Sequence, residues 1–189
     1  MTSTLAHAEK NILVFGDSLS AGFGIAREAA WPNLLQQELR KSNTQFVVVN
    51  ASISGETTSG GVRRIAPLFA QHQPAIVIIE LGANDGLRGS SLVEMRKNLS
   101  DLIEQSHQIN AKILLVGMRL PPNYGKVYVD EFQNTFAQLA KKYRVAFVPF
   151  LLEGVSAQQF QADNLHPNAE AQTRIMDNVM KSLKPLLTK

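Results

Sequence analysis

Ile12-Leu13-Val14-Phe15 runs directly into Gly16-Asp17-Ser18-Leu19-Ser20. Four consecutive apolar residues have no polar face, so a strand made from them must be buried on both sides. The residues that follow are small and polar, as in a turn that a ligand can approach. Similar Val/Ile-rich runs recur at 46–49, 76–81, 113–116 and 145–148. Amphipathic segments separate them. Trp31, Leu34, Leu35 and Leu39 fall on one helical face, as do Leu92, Met95, Leu99, Leu102 and Ile103. Phe132, Phe136, Leu139 and Tyr143 form a third such face, and Ile175, Val179 and Leu183 a fourth. The segment 57–71 also has helical period, with Pro67 expected to kink or divide it.

Strands that alternate with helices specify an α/β class, here a three-layer α/β/α sandwich on a five-stranded parallel sheet. The expected strand order is 2-1-3-4-5, the common doubly wound solution for five strands. With 189 residues there is room for one core. The expected organisation is an N-terminal tail at 1–10 and a single domain at 11–189.

Composition narrows the chemistry. There is no cysteine, which removes thiol nucleophiles, thiolate metal sites and disulfides. The net charge of +3 comes from scattered basic residues rather than a stripe, so no nucleic-acid partner is expected. The most apolar run, 75–79, is far short of the ~20 residues of a membrane span. Ala6-His7-Ala8 has the small-x-small form of a signal cleavage site, and the alternative is an Ala-rich tail.

Ligands of open α/β sheets bind beyond the carboxyl ends of the strands. Those positions hold Gly16-Asp17-Ser18, then Ser52-Ile53-Ser54-Gly55-Glu56, then Gly82-Ala83-Asn84-Asp85. Later come Arg119, Pro121, Pro122 and Tyr124, and finally Asp163-Asn164-Leu165-His166-Pro167. Acyl transfer is the chemistry such a set can perform. Ser18 is the candidate nucleophile and His166 its general base. Asp163, three residues before His166, can reach the imidazole Nδ1 and fix its tautomer. The Ser18 N–H, the Gly55 N–H and the Asn84 amide are candidate oxyanion donors. Taken singly, Ser18 reads as a helix N-cap, Asp17 as a capping or loop-bracing residue, and Asn84-Asp85-Gly86 as a turn. Their joint occurrence, each after a strand, favours the catalytic reading. Asp17, Leu87, Leu120, Pro121, Tyr124 and Phe160 are candidates for substrate binding. No metal site is expected, because the one nearby Asp/His pair is better used as half of a triad.

These blocks resemble the SGNH (GDSL) hydrolase family. The similarity is closest to its bacterial thioesterase/lysophospholipase/arylesterase branch. It is carried by Gly16-Asp17-Ser18-Leu19-Ser20, Ala51-Ser52-Ile53-Ser54-Gly55-Glu56-Thr57-Thr58, Leu81-Gly82-Ala83-Asn84-Asp85-Gly86-Leu87-Arg88-Gly89, Arg119-Leu120-Pro121-Pro122-Asn123-Tyr124-Gly125 and Asp163-Asn164-Leu165-His166-Pro167. The resemblance implies a flavodoxin-like fold and the same five site residues. It also implies a cofactor-free, open site with a mobile substrate-lining loop at 85–91. The expected substrates are small acyl esters, acyl thioesters or lysophospholipids. The expected protein is a monomer, periplasmic or secreted. Phe23 stands where the family often has Tyr, and Asn164 where it often has Gly. Two other readings remain at this point: an acyltransferase using the same triad on an alcohol or sugar, and a non-catalytic module binding a small ligand.

Overall fold

β1 (Lys10–Gly16) lies inside a five-stranded parallel sheet, hydrogen-bonded on one side to β2 (Phe46–Asn50) and on the other to β3 (Ile76–Glu80). β4 (Lys112–Val116) and β5 (Ala146–Val148) extend the sheet, giving the order 2-1-3-4-5. The computed structural model describes residues 9–42 and 44–188. Positions 6–8, and most of the tail expected at 1–10, lie outside the described residues. In register, Ile12 faces Ile76 and Gly16 faces Glu80. The side chains of Ile12, Leu13, Val14 and Phe15 are completely buried, as are those of Ile76, Val77, Ile78 and Ile79. Each such apolar side chain stabilises the fold by roughly 1.5–3 kcal/mol. The two central strands therefore anchor everything that hangs from their ends.

Seven α-helices flank the sheet among the described residues. They are α1 (Ser18–Ala21), α2 (Trp31–Lys41), α3 (Thr58–His72), α4 (Ala83–Leu87), α5 (Leu92–Gln108), α6 (Lys126–Tyr143) and α7 (Gln172–Leu183). α3, α5 and α6 pack side by side in one layer, and α2 packs on α7 in the other. Every amphipathic face read from sequence turns inward. Leu35, Leu99, Phe136 and Val179 are buried, whereas Leu34 and Tyr143 are only partly so. α2 opens with Pro32, whose fixed φ suits the first turn, and closes on Arg40 and Lys41, which favour the negative helix end.

α3 runs through Pro67 as one helix, so the expected division does not occur. Pro67 and Arg63 both lie on the exposed face. The Arg63 carbonyl left without a helical donor therefore faces solvent, and the loss is small. No described helix is long and apolar enough to cross a membrane.

Candidate active site

The carboxyl ends of β1, β2 and β3 deliver the first half of the site. β1 stops at Gly16, and the chain turns sharply into α1. The cap of that helix is Asp17, not Ser18. Its Oδ1 accepts the Leu19 N–H at 3.0 Å. Ser18 is thereby released from capping and becomes the first helical residue, half-buried, with Oγ 2.9 Å from His166 Nε2.

His166 comes from the other end of the chain. It sits in a tight turn after β5, held by an antiparallel bridge between Phe160 and Pro167 and by the Gln161 N–H donating to the His166 carbonyl at 2.8 Å. Asn164 adopts φ +55° in this turn. Asn tolerates that left-handed geometry better than most residues, so the position frequently given to Gly is filled without much strain. His166 Nδ1 lies 2.7 Å from Asp163 Oδ2. Asp163 Oδ1 accepts the N–H groups of Leu165, at 2.9 Å, and His166, at 3.0 Å. The His166 N–H, then its imidazole, then the Leu165 N–H lower the Asp163 pKa from 3.8 to about 2. A carboxylate at Nδ1 requires a proton there, which leaves Nε2 free to accept from Ser18. The Phe23 ring lies on the imidazole, with centroids 4.5 Å apart.

Asp17 is the opposite kind of acid. It is 1% exposed, and burial raises its pKa from 3.8 to about 6 against the pull of the Leu19 N–H and of His166. Its Oδ2 accepts from Asn84 Nδ2 at 3.1 Å. The second hydrogen of that amide goes to the Glu56 carbonyl at 3.0 Å. An oxyanion beside Asn84 would therefore share a donor rather than meet a free one. The N–H groups of Ser18 and Gly55 differ, because among the described residues neither has a protein acceptor. Gly55 holds φ +78°, a conformation that disfavours side chains, and only the Arg88 guanidinium approaches it.

Asp85 ties these pieces together. Oδ2 accepts the Thr58 N–H at 2.9 Å, and Oδ1 accepts the Thr58 hydroxyl at 2.6 Å. The start of α3, just beyond Gly55, is thus pinned to the residue after Asn84.

Ser18, Gly55, Asn84 and His166 line one face of a cavity of about 410 Å³. Leu87, Leu120, Pro121 and Phe160, all expected at a binding surface, line it too, and Asp17 reaches it from below. Tyr124 is not a lining residue. Its hydroxyl donates to the Leu87 carbonyl at 2.9 Å and so braces the wall from behind. The sequence reading missed Met118, Phe150, Leu152 and Leu165, which complete the apolar wall. It also took Glu80 as part of an apolar strand, although a lone acid closing such a strand was a visible signal. Asp163 reaches only His166 and its own turn. Among the described residues no three His, Asp or Glu side chains gather as a metal requires.

A family model described as GDSL-like lipase/acylhydrolase matches residues 14–174. Esterase TesA of Pseudomonas aeruginosa is 44% identical over 182 residues, spanning 95% of this chain and 90% of that protein. The thioesterase 1/protease 1/lysophospholipase L1 of Escherichia coli K12 is 42% identical over 184 residues, spanning 96% of this chain and 87% of that protein. The crystal structure of the psychrotrophic esterase EstA from Pseudoalteromonas sp., inhibited by monoethylphosphonate, aligns with a TM-score of 0.90 at 39% identity. That alignment covers 96% of this chain and all of the other.

Proposed function

The chain belongs to the GDSL-like lipase/acylhydrolase family and is an ester-hydrolysing enzyme of it, and from that premise we propose that it cleaves acyl esters and thioesters, lysophospholipids included, through an acyl-enzyme on Ser18. The observation that carries this reading is the unbroken hydrogen-bond chain Ser18–His166–Asp163, at 2.9 and 2.7 Å, opening on an apolar cavity.

His166 Nε2 takes the hydroxyl proton as Ser18 Oγ attacks the substrate carbonyl carbon. The carbonyl oxygen becomes an oxyanion and meets the N–H groups of Ser18 and Gly55, with the Asn84 amide alongside. The ionised Asp163 holds Nδ1–H and balances the imidazolium. Collapse of the intermediate breaks the bond to the alcohol or thiol, which leaves with the proton from Nε2. Water then repeats the sequence on the acyl-serine and releases the acid.

Ser18→Ala and His166→Ala should each lower kcat on a p-nitrophenyl ester by at least ~10⁴-fold while the fold stays intact. Full turnover by purified Ser18→Ala would overturn the assignment. Labelling of Ser18 by a fluorophosphonate separates catalysis from mere ligand binding. An ester series from short to long acyl chains, run beside acyl-CoA and lysophospholipid, identifies the preferred class by its optimum.

We also infer a monomer with one domain over 11–189, because the proposed triad and its cavity are complete within one chain and need no residue from a partner. The Ala6-His7-Ala8 motif supports export. Size-exclusion chromatography and cell fractionation test these two points.

A further inference from the structure

Glu80 closes β3 at the end of an otherwise apolar strand and is 0% exposed. Its Oε2 accepts the Ser20 hydroxyl at 2.7 Å and the Asp17 N–H at 3.3 Å. Its Oε1 meets no donor. A Cβ on Gly16, the partner across the sheet, would stand 2.6 Å from Glu80 Oε2 and 2.8 Å from Ser20 Oγ. The absence of a side chain at Gly16 is what admits the carboxyl. Asp17, almost as buried, is the neighbour whose carboxyl and charge bear on Glu80. Among the described residues no Lys or Arg pairs with either acid. Two carboxylates buried together without a cation do not both stay ionised.

We propose that Glu80 is a positioning residue for the nucleophile turn, working as a neutral carboxylic acid whose Oε2 holds the Asp17 N–H and the Ser20 hydroxyl while the proton on Oε1 serves the Asp17 carboxylate. Glu80 touches no reacting atom and acts through Asp17. Asp17 in turn caps α1 beneath Ser18 and orients the Asn84 amide. Burial, and then the charge of Asp17, push the Glu80 carboxyl well above the ordinary range. The other charges bearing on the pair are His166, which favours ionised Asp17, and Asp85, which opposes it.

The inference rests on Ser18 being the nucleophile, and one of its tests does not. In the infrared spectrum at neutral pH, the wild type should show the carbonyl band of a protonated carboxylic acid, and Glu80→Gln should lack it. That holds whatever Ser18 does. In kinetics, Glu80→Gln reproduces the acceptor and the donor of the neutral acid and should keep kcat within about threefold, whereas Glu80→Ala loosens the turn and lowers kcat roughly 10- to 100-fold with KM little changed. Raising the pH until the pair loses its shared proton sets two charges against each other. The resulting alkaline fall in kcat should be absent from Glu80→Gln. Absence of the band, equal loss in Gln and Ala variants, or full activity of a folded Glu80→Ala would each overturn the proposal. Should Glu80→Ala fail to fold, the band and Glu80→Gln decide it.

Discussion

The ring of Phe23 lies against the imidazole of His166, with centroids 4.5 Å apart and planes inclined by 40°. Phe23 is 49% exposed, so a large apolar side chain is left at the surface where it covers His166. An aromatic face beside an imidazole favours its cation, the form the proposed mechanism creates during attack, by about 0.5–1 kcal/mol at an exposed site. Phe23→Ala should therefore lower kcat/KM about 2- to 5-fold, by the same conversion of that energy. Phe23→Tyr should keep it. Steady-state kinetics of the two variants on one ester decide this, and equal rates for Phe23→Ala and wild type would remove Phe23 from the account.

The acid limb of stability carries the signature of Asp163. Its folded pKa, about 2, lies below the ordinary 3.8 because the His166 N–H, the imidazole and the Leu165 N–H favour the carboxylate. The stabilisation is fully present above 3.8 and is lost as pH falls toward 2. Wild type and Asp163→Asn should thus differ most in Tm above that window and converge below it. Thermal melts stepped through this range test the point, and a difference constant with pH would show that the contacts do not involve the charge.

Asp85 and Thr58 form a buried two-point contact that keeps Gly55 in register with Asn84. Asp85→Ala leaves the Thr58 N–H without its acceptor, at a cost of roughly 1–3 kcal/mol. The variant should melt lower and turn over more slowly. Thr58→Ala, which keeps the N–H contact, should be milder on both counts. An Asp85→Ala protein with unchanged kcat would show that the proposed oxyanion donors hold their places without this link.

The sheet was legible because its strands are apolar on both faces, a pattern that few other structures produce. The order 2-1-3-4-5 follows from topology habits rather than from any residue. Division at Pro67 did not follow, since a residue poor in a buried helix costs little where the orphaned carbonyl meets solvent. The meeting of Ser18, Asp163 and His166 beyond the strand ends was legible because each of these polar side chains follows a strand in the sequence. Asp17 was readable as a cap, but not which of two adjacent residues would take that role, because the choice depends on the angle at which β1 enters α1. Tyr124 looked like a wall residue, yet its hydroxyl found the Leu87 carbonyl. The lone acid at Glu80 was visible in the sequence, but its role was not, because its partners, Asp17 and Ser20, are 63 and 60 residues away.

Ser18 and His166 are separated by 148 positions along the chain and meet at a single hydrogen bond. Translation delivers the serine early and the imidazole late. A nascent chain still missing the turn at 161–167 carries Ser18 without its imidazole partner, and so, on the proposed mechanism, a nucleophile without a base, however well its first strands have paired. On the proposed mechanism, a ribosome that stalls short of that turn leaves behind an inert product.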